Sequence, residues 1–277
     1  MANKKLYVIF ISLIAIIVVA ISGWWFLSAK YSQGHKEFII SIPTSFKTVL
    51  VPLIEKYDKN SSVDIIIKEG NGEQVQDLLE ERALDVAITY FPVKNIGENL
   101  QSQSIGVMPY IFVLNAKCGI KSLTTEAIRD VFTGKINNWQ QIGGNDCPVI
   151  LVHPNYMNAV PYYLKQQFLP NDKFADSSLF LEQSGDVLAK VNKIDGAIGY
   201  MTIMSFKQDL STKYKENIVI ATVNGLLPNL ATIEDFSYAA VMPINVIHQK
   251  RFSGKEIDEF VRQAREAWQK TITEIKI

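Results

Sequence analysis

At 277 residues the chain is too long for one small core and suits two compact lobes of about 100 to 130 residues each. Lysine plus arginine and aspartate plus glutamate both number 28, so the basic excess of a nucleic-acid surface is missing and nucleic acid is not an expected partner. Lys4, Lys5 and Lys30 are the only charged residues among the first thirty, which leaves 25 basic against 28 acidic groups beyond them and makes the remainder mildly acidic.

Residues 6–29 form a run of 24 uncharged residues, rich in Ile, Val, Leu, Phe and Trp, which as a helix would span about 36 Å. That length crosses a bilayer. With Lys4 and Lys5 before it, the positive-inside tendency holds the N-terminus in the cytoplasm and the rest outside. Residues 1–30 are therefore expected to be an N-terminal transmembrane helix serving as a signal anchor, with the soluble part in the periplasm or another extracytoplasmic space. The rival reading is a cleaved signal peptide, for which Ala20 and Ser22 offer small residues. Continuation of the apolar run through Trp24, Trp25 and Leu27 favours the anchor.

A strand is predicted over 37–42, then Pro43, Thr44 and Ser45, then a helix in which Phe46, Val49, Leu50, Leu53, Ile54 and Tyr57 keep helical spacing. Thr44 or Ser45 would cap it. A second strand over 63–68 ends at Glu69-Gly-Asn-Gly72, a short helix carries Val75, Leu78 and Leu79, and a third strand covers 85–89. The strands are apolar without alternation, as expected of mainly parallel sheets covered on both faces. Such a unit aims strand C-termini at one crevice suited to an anion or polar ligand. Thr44, Ser45, Asn71, Gly72, Thr89 and Tyr90 map there.

A strand over 110–114 leads into a second lobe, where Thr124 or Thr125 caps a helix with Ile128, Val131 and Phe132 inward, and Gly134 stops it. A strand over 149–152 runs into His153, Asn155 and Asn158, and 162–168 reads as a helix. A strand over 196–201 closes the lobe. A further strand over 238–247 and a terminal helix with Ile257, Phe260, Val261, Ala264, Trp268 and Ile272 on one face complete the chain. Cys118 and Cys147 are the only thiols, and in an oxidising compartment they are either a disulfide or two small buried residues; spacing leaves both open.

Leu123-Thr-Thr-Glu-Ala-Ile-Arg-Asp-Val-Phe-Thr-Gly-Lys-Ile-Asn-Asn-Trp139, with Gly143 and Gly144 after it, resembles a segment of the phosphate-type periplasmic solute-binding proteins of ABC transporters. Gly196-Ala-Ile-Gly-Tyr200 resembles a second segment of that family, in the same order. The resemblance implies an α/β fold of the two-lobed type II periplasmic-binding-protein class with mixed, mainly parallel sheets. It divides the chain into a discontinuous first lobe, 36–112 and 205–277, and a second lobe, 113–204, closing on a small solute. A small anion or polar solute is the implied ligand, and an ABC permease or another envelope protein the implied partner. The second-lobe loop departs from the family, which carries an Arg and then Ser-Gly-Thr there. Here it reads His153-Pro-Asn-Tyr-Met-Asn158, while Arg82, Arg129, Arg251, Arg262 and Arg265 fall in or beside predicted helices. A buried phosphate needs donors and a cation to replace its hydration, so tight phosphate binding is not expected.

Each candidate carries a plainer reading too. His153 touches an anion as imidazolium or is a structural loop residue; Tyr90 stacks on a solute or plugs an emptied pocket; Asn155 and Asn158 donate amides or serve as turn and cap residues. Trp139 reads as packing. No catalytic residue, cofactor or metal ligand set is expected, since no nucleophile elbow, P-loop, HExxH or Cys/His cluster occurs.

Overall fold

The computed structural model describes residues 36–275 except 59–62, 71–73, 92–95, 155–158, 182–185, 211–216 and 253. The expected membrane span lies outside them. Among the described residues no helix is long and apolar enough to cross a membrane.

In chain order the strands are β1 (Lys36–Ile42), β2 (Val63–Glu69), β3 (Val86–Thr89), β4 (Leu100–Asn115), β5 (Ser122–Leu123), β6 (Ile150–His153), β7 (Leu179–Phe180), β8 (Ala197–Thr202), β9 (Ile218–Val223) and β10 (Val241–Gln249). The helices are α1 (Lys47–Asp58), α2 (Gln74–Glu80), α3 (Thr125–Phe132), α4 (Ala159–Phe168), α5 (Asp186–Lys193), α6 (Ile203–Leu210), α7 (Leu230–Glu234) and α8 (Lys255–Glu274). The sheet runs β2-β1-β3-β10-β4-β8-β6-β7, with β9 on β4 and β5 on β9.

β4 organises the molecule. It is 16 residues long, where the sequence suggested only 110–114. Its first part pairs antiparallel with β10, from Leu100 opposite Gln249 to Pro109 opposite Val241. Its second part pairs antiparallel with β8, from Tyr110 opposite Thr202 to Leu114 opposite Ile198, and with β9. Two half-sheets thus share one strand. β9 pairs with β4 and β5, so the second half of the sheet takes in strand residues up to Val223.

Both faces of each half are covered, which is why most strands read as unbroken apolar runs. On one face Ile40, Ile42, Leu50, Ile54, Val261 and Trp268 join Phe112, Phe132, Trp139 and Phe168 in a single core that continues across β4. On the other face, α2 packs Val75 and Leu79 against Ala87 and Ile247 in the first half. In the second half α5 packs Val187, Leu188 and Val191 against Ile111 and Val113. Thr124 caps α3 by accepting from Ala127 N at 3.0 Å, as its position suggests. Trp139 is fully buried and its indole donates to Gly196 O at 2.8 Å, so it packs rather than recognises.

Register fixes where a crevice lies. β3 runs toward the β4–β10 crossing, with Thr89 opposite Asn245, and β1 and β2 run parallel to it. β8 returns to the same crossing at Thr202, with β6 parallel to it. The C-terminal ends of β1, β2, β3, β6 and β8 therefore converge on the crossing of the two half-sheets. There Gln167 of α4 accepts from the Tyr110 hydroxyl at 2.6 Å and donates to Val241 O at 2.6 Å.

Candidate functional site

After β1 the chain turns through a 3-10 segment, Thr44–Phe46, before α1 begins. Pro43 stands at the cap position of that segment and makes no side-chain cap bond, so neither Thr44 nor Ser45 is the expected cap. Both hydroxyls are engaged by residues at the ends of neighbouring strands. The Thr44 hydroxyl donates to Glu69 Oε2 at 2.9 Å, and the Lys47 ammonium donates to Glu69 Oε1. Ser45 Oγ lies 3.2 Å from the Tyr90 hydroxyl.

Tyr90, at the end of β3, is buried, and its ring meets Phe46 edge-on at 6.2 Å. Burial pushes its phenol well above the usual range, with the Ser45 contact offsetting part of that, so the hydroxyl stays neutral. Phe46 in turn lies 5.2 Å from Trp268 of α8. Tyr90 is accordingly part of the core. Thr89 is buried as well, and its hydroxyl accepts from Phe91 N at 3.0 Å. Thr44, Ser45, Thr89 and Tyr90 are thus brought together, but their hydroxyls are engaged within the chain.

Gly70 follows β2 directly. A Cβ there would meet Ser41 Oγ at 2.6 Å, so a larger residue at the end of β2 requires that hydroxyl to turn aside. The register then places Glu69 opposite Ile42, beside the turn that carries Thr44.

His153, at the end of β6, does not face the crevice as an open donor. It is fully buried, stacked on Phe180 at 4.4 Å with Phe174 at 4.6 Å and Phe132 at 5.5 Å edge-on. Its Nδ1 lies 2.9 Å from the Tyr200 hydroxyl, and its Nε2 is buried with no hydrogen-bond partner among the described residues. Burial holds the imidazolium down, to about 3, so the ring is neutral at physiological pH. Of the two readings of His153, this surrounding favours the structural one: Phe132, Phe174 and Phe180 desolvate the ring and disfavour its charged form. Asn71, Gly72, Asn155 and Asn158 lie outside the described residues.

Of the two alternatives for the cysteines, the structure holds free thiols at Cys118 and Cys147. Cys118 is buried with Sγ 3.7 Å from Ala197 O. Burial, and then the nearby Cys147, push its thiol up to about 12, which keeps it protonated and unreactive.

Lys47 and Glu69 were not singled out from the sequence. Their signal was the place of each: Lys47 three residues after Thr44, and Glu69 at the last position of β2 before a glycine. A search for arginine alone passes over Lys47.

A family model described as "PBP superfamily domain" matches residues 31–255. The phosphate-binding protein PstS of Borreliella burgdorferi is 19% identical over 258 residues, covering 90% of this chain and 91% of the relative. Among solved structures, an ABC-type phosphate transport receptor from Vibrio cholerae superposes with a TM-score of 0.68 at 20% identity, over 85% of this chain and 96% of that one. A putative phosphate ABC transporter substrate-binding protein from Clostridium perfringens, with bound phosphate, gives 0.66 at 19% identity, over 82% and 92%. At these identities the structural likeness carries the fold.

Proposed function

The chain belongs to the PBP superfamily, and from that premise we propose that it is an extracytoplasmic solute-binding protein whose two lobes close on a small anion or polar solute at the crossing of the half-sheets. The observation that carries this reading is the convergence of the C-terminal ends of β1, β2, β3, β6 and β8 on the β4–β10 crossing. Strands that end together at a reversal of sheet order leave a crevice lined by backbone groups and loop side chains. The relatives carry names of phosphate-binding proteins and phosphate transport receptors, which supports a small anion as the ligand class and an ABC permease as the partner. Tight binding of free phosphate is not part of the proposal, because Thr44, Ser45 and Thr89 are satisfied inside the chain and His153 is neutral. Binding, not catalysis, is the role.

A second reading, a membrane-anchored protein that kept the fold to sense a solute or contact another envelope protein, draws on those same engaged donors. The uncharged run at 6–29 would tether either form to the membrane.

The test is a thermal-shift screen of the full chain in detergent against phosphate, sulfate, carboxylates, amino acids and sugars. Native-state binding raises the melting temperature by mass action. A saturable shift with one solute class supports the receptor reading. No shift with any class removes it and leaves the envelope-interaction reading.

A further inference from the structure

We propose that Glu69 is a built-in anion: its carboxylate fills the first-lobe donors of the crevice, Thr44 and Lys47, so that the native protein discriminates against free inorganic oxyanions. This rests on the solute-binding reading above and names what the first lobe refuses.

The geometry has the form of oxyanion recognition. One carboxylate oxygen accepts from the Thr44 hydroxyl at 2.9 Å and the other from the Lys47 ammonium. Two donors on two oxygens of one delocalised anion is the arrangement by which a protein holds phosphate or sulfate. The anion here is supplied by the chain itself, from the last residue of the neighbouring parallel strand. The register of Ile42 opposite Glu69 sets its distance from the turn at Thr44. Three parts of the sequence thus cooperate: a turn with a hydroxyl, a lysine opening α1, and a glutamate closing β2.

The Lys47 hydrogen bond first, and then that of Thr44, hold the Glu69 carboxyl below its usual range, so the charge is present throughout the physiological pH interval. A tethered group acts at an effective concentration of about millimolar or higher. A free oxyanion must therefore displace Glu69 from Thr44 and Lys47 and then sit beside the displaced negative charge. The pair is solvent-exposed, with 40% and 49% of the two side chains accessible, so it adds little to folding stability and its removal leaves the fold intact. What it controls is which anions the turn accepts.

This separates oxyanion affinity from solute binding in general. Neutralising Glu69 frees both donors and removes a like charge, and should tighten sulfate and phosphate binding by about tenfold or more, an effect that shrinks as salt screens it. The experiment is calorimetric titration of the full chain in detergent with sodium sulfate and with inorganic phosphate, at low and at high ionic strength. It compares native protein, Glu69→Gln, Glu69→Ala and Glu69→Gln combined with Lys47→Met, each checked for native circular dichroism. The expected result is weak binding by native protein and a gain in both single variants, abolished by removing Lys47 as well. The inference is overturned if neither single variant binds sulfate more tightly than native protein, or if the gain survives loss of Lys47. That failure is distinct from failure of the solute-binding reading, in which native protein responds to no solute class at all.

Discussion

The Tyr200 hydroxyl lies 2.9 Å from Nδ1 of His153, inside an aromatic box in which His153 Nε2 has no partner among the described residues. Tyr200 closes the Gly196-Ala-Ile-Gly-Tyr200 segment of β8, so that segment supports the residue at which β6 ends. The pair turns the end of β6 into core. A neutral ring is tolerated there, whereas a charged one would lose its hydration against Phe132, Phe174 and Phe180 without a compensating anion.

Acid stability follows from that. His153 titrates near 6.5 when unfolded and is held to about 3 when folded, so the unfolded state takes up a proton that the folded state refuses. The contribution is complete above pH 6.5 and is lost as pH falls toward 3, with a slope of up to about 1.4 kcal/mol per pH unit. His153→Phe should be visibly less sensitive to acid in this window, whatever its stability at neutral pH. Urea unfolding at several pH values across the window measures both slopes. Identical slopes would mean that the ring is not buried uncharged.

Tyr90 should behave as core with a modest polar tip. Tyr90→Phe removes only the Ser45 contact and should cost about 1 kcal/mol, whereas Tyr90→Ala vacates the space against Phe46 and should cost about 3 to 5 kcal/mol. Chemical denaturation separates the two. A Tyr90→Ala variant as stable as Tyr90→Phe would show an open cleft residue instead of a plug.

Much of this was legible in the sequence, and what was not has physical reasons. β1, β2, β3, β6 and β8 are short apolar runs bounded by turns, and all were located within about two residues. The start of β4 was missed because Gln101, Ser102, Gln103 and Ser104 carry no apolar signal; its pairing with β10 holds that stretch in the sheet. β9 was missed although residues 218–223 are mostly apolar, since the strands it pairs with, β4 and β5, lie far away in sequence. At the site, strand order alone puts Thr44, Ser45, Thr89 and Tyr90 at neighbouring strand ends, but capping and ligand contact look alike in sequence, and only the register of β1 on β2 brings Glu69 to Thr44.

The two thiols should differ in reactivity. Cys118 is buried with its thiol pushed up to about 12, while Cys147 is half-buried. Iodoacetamide should modify Cys147 well before Cys118 in folded, reduced protein, and both in denaturant. Mass spectrometry of the digests counts the adducts. Equal rates at the two positions in the folded chain would contradict the burial of Cys118.

Gly196 gives the sharpest test of backbone constraint in the second half of the fold. Its φ is +78, in the region that favours glycine, and an added Cβ would stand 2.0 Å from Pro148 O and 2.9 Å from Cys147 Sγ. The first of these is backbone that β6 holds in place, through Ile150 N donating to Gly196 O at 3.1 Å, and the same carbonyl accepts from the Trp139 indole. Relief would therefore disturb β6, β8 and the buried Trp139 together. Gly225 has nearly the same φ, +81, but nothing within 4 Å of a Cβ, so it isolates the conformational strain from the collision. Gly225→Ala should cost about 1 to 2 kcal/mol, and Gly196→Ala at least about 4 kcal/mol, enough to deplete folded protein at physiological temperature. Side-by-side thermal unfolding decides it: equal losses at the two positions would mean that the packing of Gly196 against Pro148 is not part of the native fold.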